Sequence, residues 1–226
     1  MIHFDKVSKV YLGDQSALKD VTLTIEPKEF VSIVGHSGAG KTTLLKLLLA
    51  EEHPTDGAVF FDGDPVREFG KKEVLNLRRR IGTVFQDFRL LSKKTAYENI
   101  AFAMEAMGRD EEEIVSDVPH ALDLVDLGNK MWNFPHELSG GEKQRLAIAR
   151  AIVNQPDVII ADEPTGNLDP INTYDVIQIL KRVNDLGTTV ILTTHNKGVI
   201  DNLNRRVITM ERGEVLRDDK EGKYVI

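Results

Sequence analysis

The sequence has no cysteine among its 226 residues. That absence removes disulfides, thiolate zinc sites and thiol catalysis together, and it fits a reducing cytosol. Long hydrophobic runs are also missing. No stretch approaches the ~20 apolar residues that a membrane helix needs, and Leu44 to Ala50 is short and carries Lys46. The N-terminus, Met1-Ile-His-Phe-Asp-Lys6, enters a strand pattern directly, so no signal peptide is expected. Any membrane role must come through a partner. No basic stripe dominates, and a net charge of −7 with a pI near 5.4 speaks against a nucleic-acid partner. Internal repeats, heptads and low-complexity tracts are absent too. What remains is the ordinary composition of a soluble globular protein, 41% hydrophobic and 29% charged, long enough to bury a full core.

The most informative stretch runs from residue 30 to 50. Phe30 to Val34 is a β-branched apolar run with the composition of a buried strand. It breaks into glycines and then enters Lys41 to Ala50, whose leucines predict a buried helix. The spacing Gly35-x-x-x-x-Gly40-Lys41-Thr42 is that of a phosphate-binding loop, made of Gly35, His36, Ser37, Gly38, Ala39, Gly40, Lys41, Thr42 and Thr43. Glycines let successive backbone N–H groups converge on an anion, and the helix start adds the positive end of its dipole. Lys41 would reach the β- and γ-phosphates, and the Thr42 hydroxyl would ligate Mg²⁺. A Gly-rich turn that merely ends in Lys-Thr would not need strand, loop and helix in that order.

Taken in order, Ile2 to Val7 and Val21 to Ile25 alternate apolar and polar residues, which predicts half-exposed antiparallel strands joined by a turn at Gly13-Asp-Gln-Ser16. Tyr11, just past the first strand, would either stack on a nucleotide base or cap the small sheet. Gly57 to Gly63 holds another short strand of the same sheet. Lys72 to Arg80 is a basic helix, followed by a buried strand at Ile81–Phe85 and then Gln86. From about 88 to 155 the signals are helical: Thr95 to Met107 carries a possible Thr95/Glu98 capping box, and Asp110 to Glu113 is the acidic, solvated start of the next helix. Leu138-Ser139-Gly140-Gly141-Glu142 opens a helix through about Asn154, with Ala147, Ile148 and Ala151 on one face. Ser139 and Glu142 form a second capping box, and the free N–H groups with two glycines make a second anion site.

Val158 to Ala161 is an apolar strand that ends in Asp162-Glu163. Carboxylates at the carboxyl end of a buried parallel strand are costly unless an ion or a reaction uses them. Asp162 suits an outer-shell Mg²⁺ contact and Glu163 suits polarising an attacking water; the bland alternative is an acidic cap for the next helix. Asp169 would cap a helix that begins at Pro170. Thr188 to Thr193 delivers His195 to the same sheet end as Lys41 and Glu163, and Arg206–Glu211 with Glu214–Arg217 predicts a closing strand pair. Pro54 to Gly57 and Phe134 to Leu138 are the expected joints.

With Lys41, Gln86, Ser139 to Glu142, Asp162-Glu163, Asp169 and His195 in that order, residues 2 to 218 resemble the nucleotide-binding subunit of ABC transporters. The resemblance implies an α/β P-loop NTPase core with a mostly parallel sheet (1–87 and 156–226), an N-terminal antiparallel β subdomain and an inserted all-helical subdomain (88–155), together one ATPase domain over 1–226. It also implies ATP and Mg²⁺ as cofactors, Tyr11 on adenine, Gln86 on Mg²⁺ and water, Asp169 between subunits, Glu163 as catalytic carboxylate and His195 on the γ-phosphate. Glu142 stands where Gln is commonest in the family, and little change in hydrolysis rate is expected from it. The segments Gly35 to Gly40, Val84 to Leu91, Phe134 to Glu142 and Ala161 to Pro170 are most like the cell-division branch. The same segments are similar to lipoprotein-releasing and macrolide-efflux ATPases. The cell-division branch implies a polytopic membrane partner docked on the helical subdomain, a cytoplasmic place on the inner face of the membrane, and control of a peptidoglycan hydrolase outside the cell. Two anion-binding helix starts in one chain imply an ATP-dependent homodimer, loop from one copy and capped helix from the other. A DNA-repair or chromosome-organising ATPase would carry coiled coils or zinc-binding cysteines, which this chain lacks. A non-hydrolysing nucleotide switch would be separated by measured phosphate release.

Overall fold

The computed structural model describes residues 1–13, 15–220 and 222. In chain order these form β1 (Ile2–Tyr11), β2 (Gln15–Ile25), β3 (Phe30–Val34), α1 (Lys41–Leu48), β4 (Asp56–Phe61), the short β5 (Asp64–Pro65), α2 (Lys71–Arg79) and β6 (Ile81–Phe85). Three helices follow, α3 (Ala96–Met107), α4 (Glu111–Leu124) and α5 (Gly140–Ile152). The chain then alternates through β7 (Val158–Asp162), α6 (Pro170–Asp185), β8 (Thr189–Thr194) and α7 (Lys197–Leu203), and closes with β9 (Arg206–Glu211) and β10 (Glu214–Asp219).

Two sheets result. The antiparallel one has the order β2-β1-β4-β5, and the larger one the order β10-β9-β3-β8-β7-β6. In the larger sheet β6, β7, β8, β3 and β9 are parallel, and only β10 runs against its neighbour. Parallel strands covered on both faces must be apolar throughout, and β3 and β8 are buried at every position. The pleat then divides β3 between two cores. Val31 and Ile33 point toward the leucines of α1 and the small sheet (Phe4, Leu18, Ile25), whereas Phe30 and Val34 point toward α5, α6 and the helical stretch.

Several boundaries differ from the periodicity, each for a local reason. β1 continues to Tyr11 because Lys6 takes φ 48°, a bulge that shifts the register and lets the strand resume. Tyr11 therefore ends the strand and pairs with Gln15, which confines the turn to a shorter segment than Gly13–Ser16; Asp14 lies outside the described residues. Asp20, at φ 46°, likewise breaks the alternation that hid the first half of β2. α1 stops at Leu48 rather than Ala50 because Ala50 turns into the left-handed region at φ 51°. Arg78 of α2 satisfies the carbonyls left there, its Nε donating to Leu49 O (3.0 Å) and Nη2 to Ala50 O (3.2 Å). α5 stops at Ile152, two residues short of Asn154, whose amide instead donates to Ala103 O at 3.1 Å. Helix α7 was not expected; Asn196 caps it through Val199 N–H. Both capping boxes are present, and Asp110 with Glu113 makes a further one at the acidic start of α4.

Candidate active site

The phosphate loop leaves β3 at Gly35, and close approach dictates its glycines. A Cβ on Gly35 would collide with Met210 O, and one on Gly40, at φ 106°, would press on Ala17 O and Leu18. Lys41 is almost fully buried inside the loop. Its Nζ donates to Gly35 O (2.7 Å) and His36 O (3.2 Å) and lies 3.8 Å from Glu163 Oε1. Gly40 caps α1 without any side-chain acceptor, so the first-turn N–H groups face the loop's hollow.

The carboxylates arrive from the adjacent parallel strands. Asp162 ends β7 and accepts a hydrogen bond from Thr193 Oγ1 of β8 at 2.5 Å. Glu163 follows in the left-handed region at φ 49°, held there because its N–H donates to Thr193 O and Thr193 Oγ1, both at 3.1 Å. This backbone turn swings the carboxylate between Lys41 and His195, whose Nδ1 lies 2.9 Å from Glu163 Oε2. Neither acid caps a helix. Asp169 does that for α6, its Oδ1 accepting from Ile171 N (2.9 Å) and Asn172 N (3.0 Å). Those bonds, that of Asn172 N–H foremost, hold the Asp169 carboxyl below its usual range.

One cavity of about 680 Å³ collects most of the expected residues. Tyr11, the loop from His36 to Thr43, Gln86, Asp162, Glu163 and His195 all line it. Lys9 Nζ sits 5.0 Å from the centroid of the Tyr11 ring, beside the cavity mouth. Gln86 is exposed and donates through Nε2 to Asn167 Oδ1 at 3.3 Å. The wall also includes Gln15, Ser16 and Ala17 at the start of β2, which carried no motif. Thr42, Gln86 and Asp162, all lining this cavity, offer hydroxyl, amide and carboxylate oxygens, the donor types that suit Mg²⁺ completed by phosphates and water.

The residues expected to form a second anion site lie elsewhere. Ser139, Gly140, Gly141, Glu142 and Asp169 are absent from the cavity wall. At the start of α5, Ser139 Oγ accepts from Glu142 N–H (3.3 Å) while Glu142 Oε2 accepts from Ser139 N–H (2.8 Å). The Ser139 N–H, helped by its hydroxyl, keeps the Glu142 carboxyl below the ordinary range. A Cβ on Gly141 would overlap the Asn172 side chain, so the α5 start packs directly beside the Asp169 turn.

Comparison with known proteins agrees with this geometry. The family described as ABC transporter matches residues 18–166. The cell division ATP-binding protein FtsE of Bacillus subtilis (strain 168) is 47% identical, covering 99% of this chain and 98% of that protein. The same-named protein of Streptococcus pneumoniae serotype 2 is 48% identical over 99% of this chain and 97% of its own length. Among solved structures, a dimeric post-hydrolysis ATP-binding cassette bound to ADP and Pi superposes with a TM-score of 0.87. It is 36% identical and covers 99% of this chain and 100% of that one.

Proposed function

The chain belongs to the ABC transporter family of ATPases, and from that premise we propose that it serves cell division, hydrolysing ATP to gate an FtsX-like polytopic membrane partner that controls a peptidoglycan hydrolase. The observation that carries the chemistry is the Glu163 carboxylate held between Lys41 and His195 at the mouth of a phosphate loop. Phosphoryl transfer to water needs positioning and charge neutralisation more than covalent help. Lys41 leaves the loop carbonyls for the β- and γ-phosphates. Glu163 orients and polarises the attacking water, and His195 both fixes that carboxylate and reaches the γ-phosphate. Tyr11 stacks on the adenine. Thr42, Gln86 and Asp162 would hold Mg²⁺, which neutralises phosphate charge when bound.

Ser139, Gly140, Gly141 and Asp169 lie outside this cavity, so they act on the nucleotide of a second copy; the dimeric relative holding ADP and Pi supports that arrangement. The helical subdomain, residues 88–155, then follows the nucleotide and moves the membrane partner. No helix among the described residues is long and apolar enough to cross a membrane. The place at the inner face of the membrane is the one that the FtsX-like partner would give it. The test is Glu163→Gln. Light scattering with ATP should show an accumulating dimer with ATP affinity intact. A monomer with normal turnover would refute the role of Glu163.

A further inference from the structure

The segment that carries Gln86 is held in an unfavourable shape from outside. Phe88 (φ 60°) and Arg89 (φ 46°) are consecutive non-glycine residues in the left-handed region. Within the segment, Phe88 N–H donates to Phe85 O (3.2 Å), Arg89 N–H to Asp87 O (2.6 Å), and the Arg89 guanidinium lies 3.7 Å over the Phe85 ring. Asn167 holds Gln86 itself, accepting from its Nε2 at 3.3 Å and donating to its backbone O at 3.5 Å. The side-chain ties on the Phe85, Phe88 and Arg89 carbonyls from outside the segment come from α5. Arg150 Nη1 donates to Arg89 O at 2.6 Å and Nη2 to Phe88 O at 2.9 Å. Gln144, two turns earlier and fully buried, reaches Phe85 O through Nε2 at 3.4 Å. Among the described residues Arg150 has no carboxylate within ion-pairing distance, and burial lowers its pKa. A half-buried guanidinium committed to two carbonyls, with no carboxylate beside it, is a costly way to hold a loop unless the loop's position matters.

We propose that Arg150 is a positioning residue for hydrolysis: it holds the Phe88–Arg89 turn, and through it fixes where Gln86 stands on the wall of the nucleotide cavity. The inference rests on the reading of that cavity as the ATP site. Because Arg150 lies in the last turn of the helix that Ser139 begins, α5 acts as a rigid strut between the second anion site and Gln86. Closing a partner's nucleotide on Ser139 would therefore register at Gln86 of the same chain.

The test pairs loop dynamics with kinetics in the full chain. In Arg150→Gln, amide hydrogen exchange over residues 88–91 should speed up, and kcat should fall on the order of 10²-fold because Gln86 is misplaced. KM for ATP should stay within about twofold, since the loop and Lys41 are untouched. Adding Arg89→Gly supplies a residue that adopts φ > 0 freely, so the double variant should recover most of the lost kcat. Arg150→Lys keeps the charge but reaches only one carbonyl, and should show the same changes at smaller size if the glutamine variant folds poorly. Unchanged exchange in residues 88–91 would overturn the clamp. Lost kcat that glycine at 89 does not restore would overturn it too, because a purely structural arginine would behave that way. Faster exchange with unchanged kcat would instead remove Gln86 from the catalytic cavity's chemistry, and the positioning role with it.

Discussion

The chain has two helix starts built for opposite tasks. α1 begins at Gly40 with no side-chain cap and no acid in its first turn, and Lys41 occupies its first position. α5 begins at Ser139 with a complete capping box and Glu142 in its first turn. The dipole gives both ends a partial positive charge. At α1 that charge and the N–H groups are left for a ligand. At α5 Glu142 offsets part of it, with Lys130 Nζ 3.9 Å away to offset Glu142 in turn. Only the Gly140 and Gly141 N–H groups remain unused by the box. The lesson is a hierarchy. On the proposed function, α1 would hold a phosphate alone, whereas α5 would be too weak to recruit one and would close on a phosphate that another loop already presents.

Lys41→Ala gives the largest break in that hierarchy. It deletes the buried cation at the centre of the strong site, so calorimetry should show ATP affinity down by ~10²-fold or more, the loss of one or two charge-assisted hydrogen bonds. Unchanged affinity would mean that the N–H groups of α1 carry the binding without it.

How far the sequence disclosed this difference depends on the residue. The spacing from Gly35 to Thr42 makes the loop before α1 legible as a pattern, although the contacts that require Gly35 and Gly40 come from Met210, Ala17 and Leu18. Ser139 and Glu142 disclose the α5 box itself, since capping is settled within four residues. Glu163 was recognisable as a carboxylate at a strand end, but not its left-handed backbone, which depends on Thr193 thirty residues away. β1 was cut short at Val7 because Lys6 interrupts its alternation, and the first half of β2 was missed because Asp20 does the same there. The strut was missed although a signal existed. Gln144 falls on the same helical face as Ala147, Ile148 and Ala151, and a glutamine on an apolar stripe asks for a buried partner. That partner, Phe85 O, is a backbone atom and leaves no mark in the sequence.

Ser139→Ala sharpens the comparison at the weak end. Losing the cap should cost about 1 kcal/mol of stability, a fall in melting temperature of roughly 2–4 °C for a chain of this size. ATP binding by the monomer should be unaffected. In a Glu163→Gln background, the ATP concentration that holds half the dimer should rise about tenfold, the worth of one hydrogen bond to a charged group. Light scattering against ATP concentration measures it. A matching loss of monomer affinity would show that α5 contributes to the strong site after all, and the hierarchy would fail.

The smallest effect is expected from Glu142→Gln, and it isolates the charge from the cap. A glutamine oxygen can still accept the Ser139 N–H, so the box survives and kcat should change little. What disappears is the favourable charge on the dipole, ~0.3–1 kcal/mol at neutral pH. Its pH dependence has a definite sign. The folded-state pKa of Glu142 lies below the ordinary 4.5, so its contribution is present above that value and is lost as pH falls through the lowered one. The wild-type and Glu142→Gln melting temperatures should therefore differ at pH ~7 and converge under acid conditions, below about pH 4. A gap that persists in acid would place the stabilisation in the geometry of the box. The same substitution should also tighten ATP-held dimers slightly, because α5 then meets phosphate with its dipole unopposed. If it loosened them, Glu142 would be aiding closure, and the contrast between the two helix starts would need another cause.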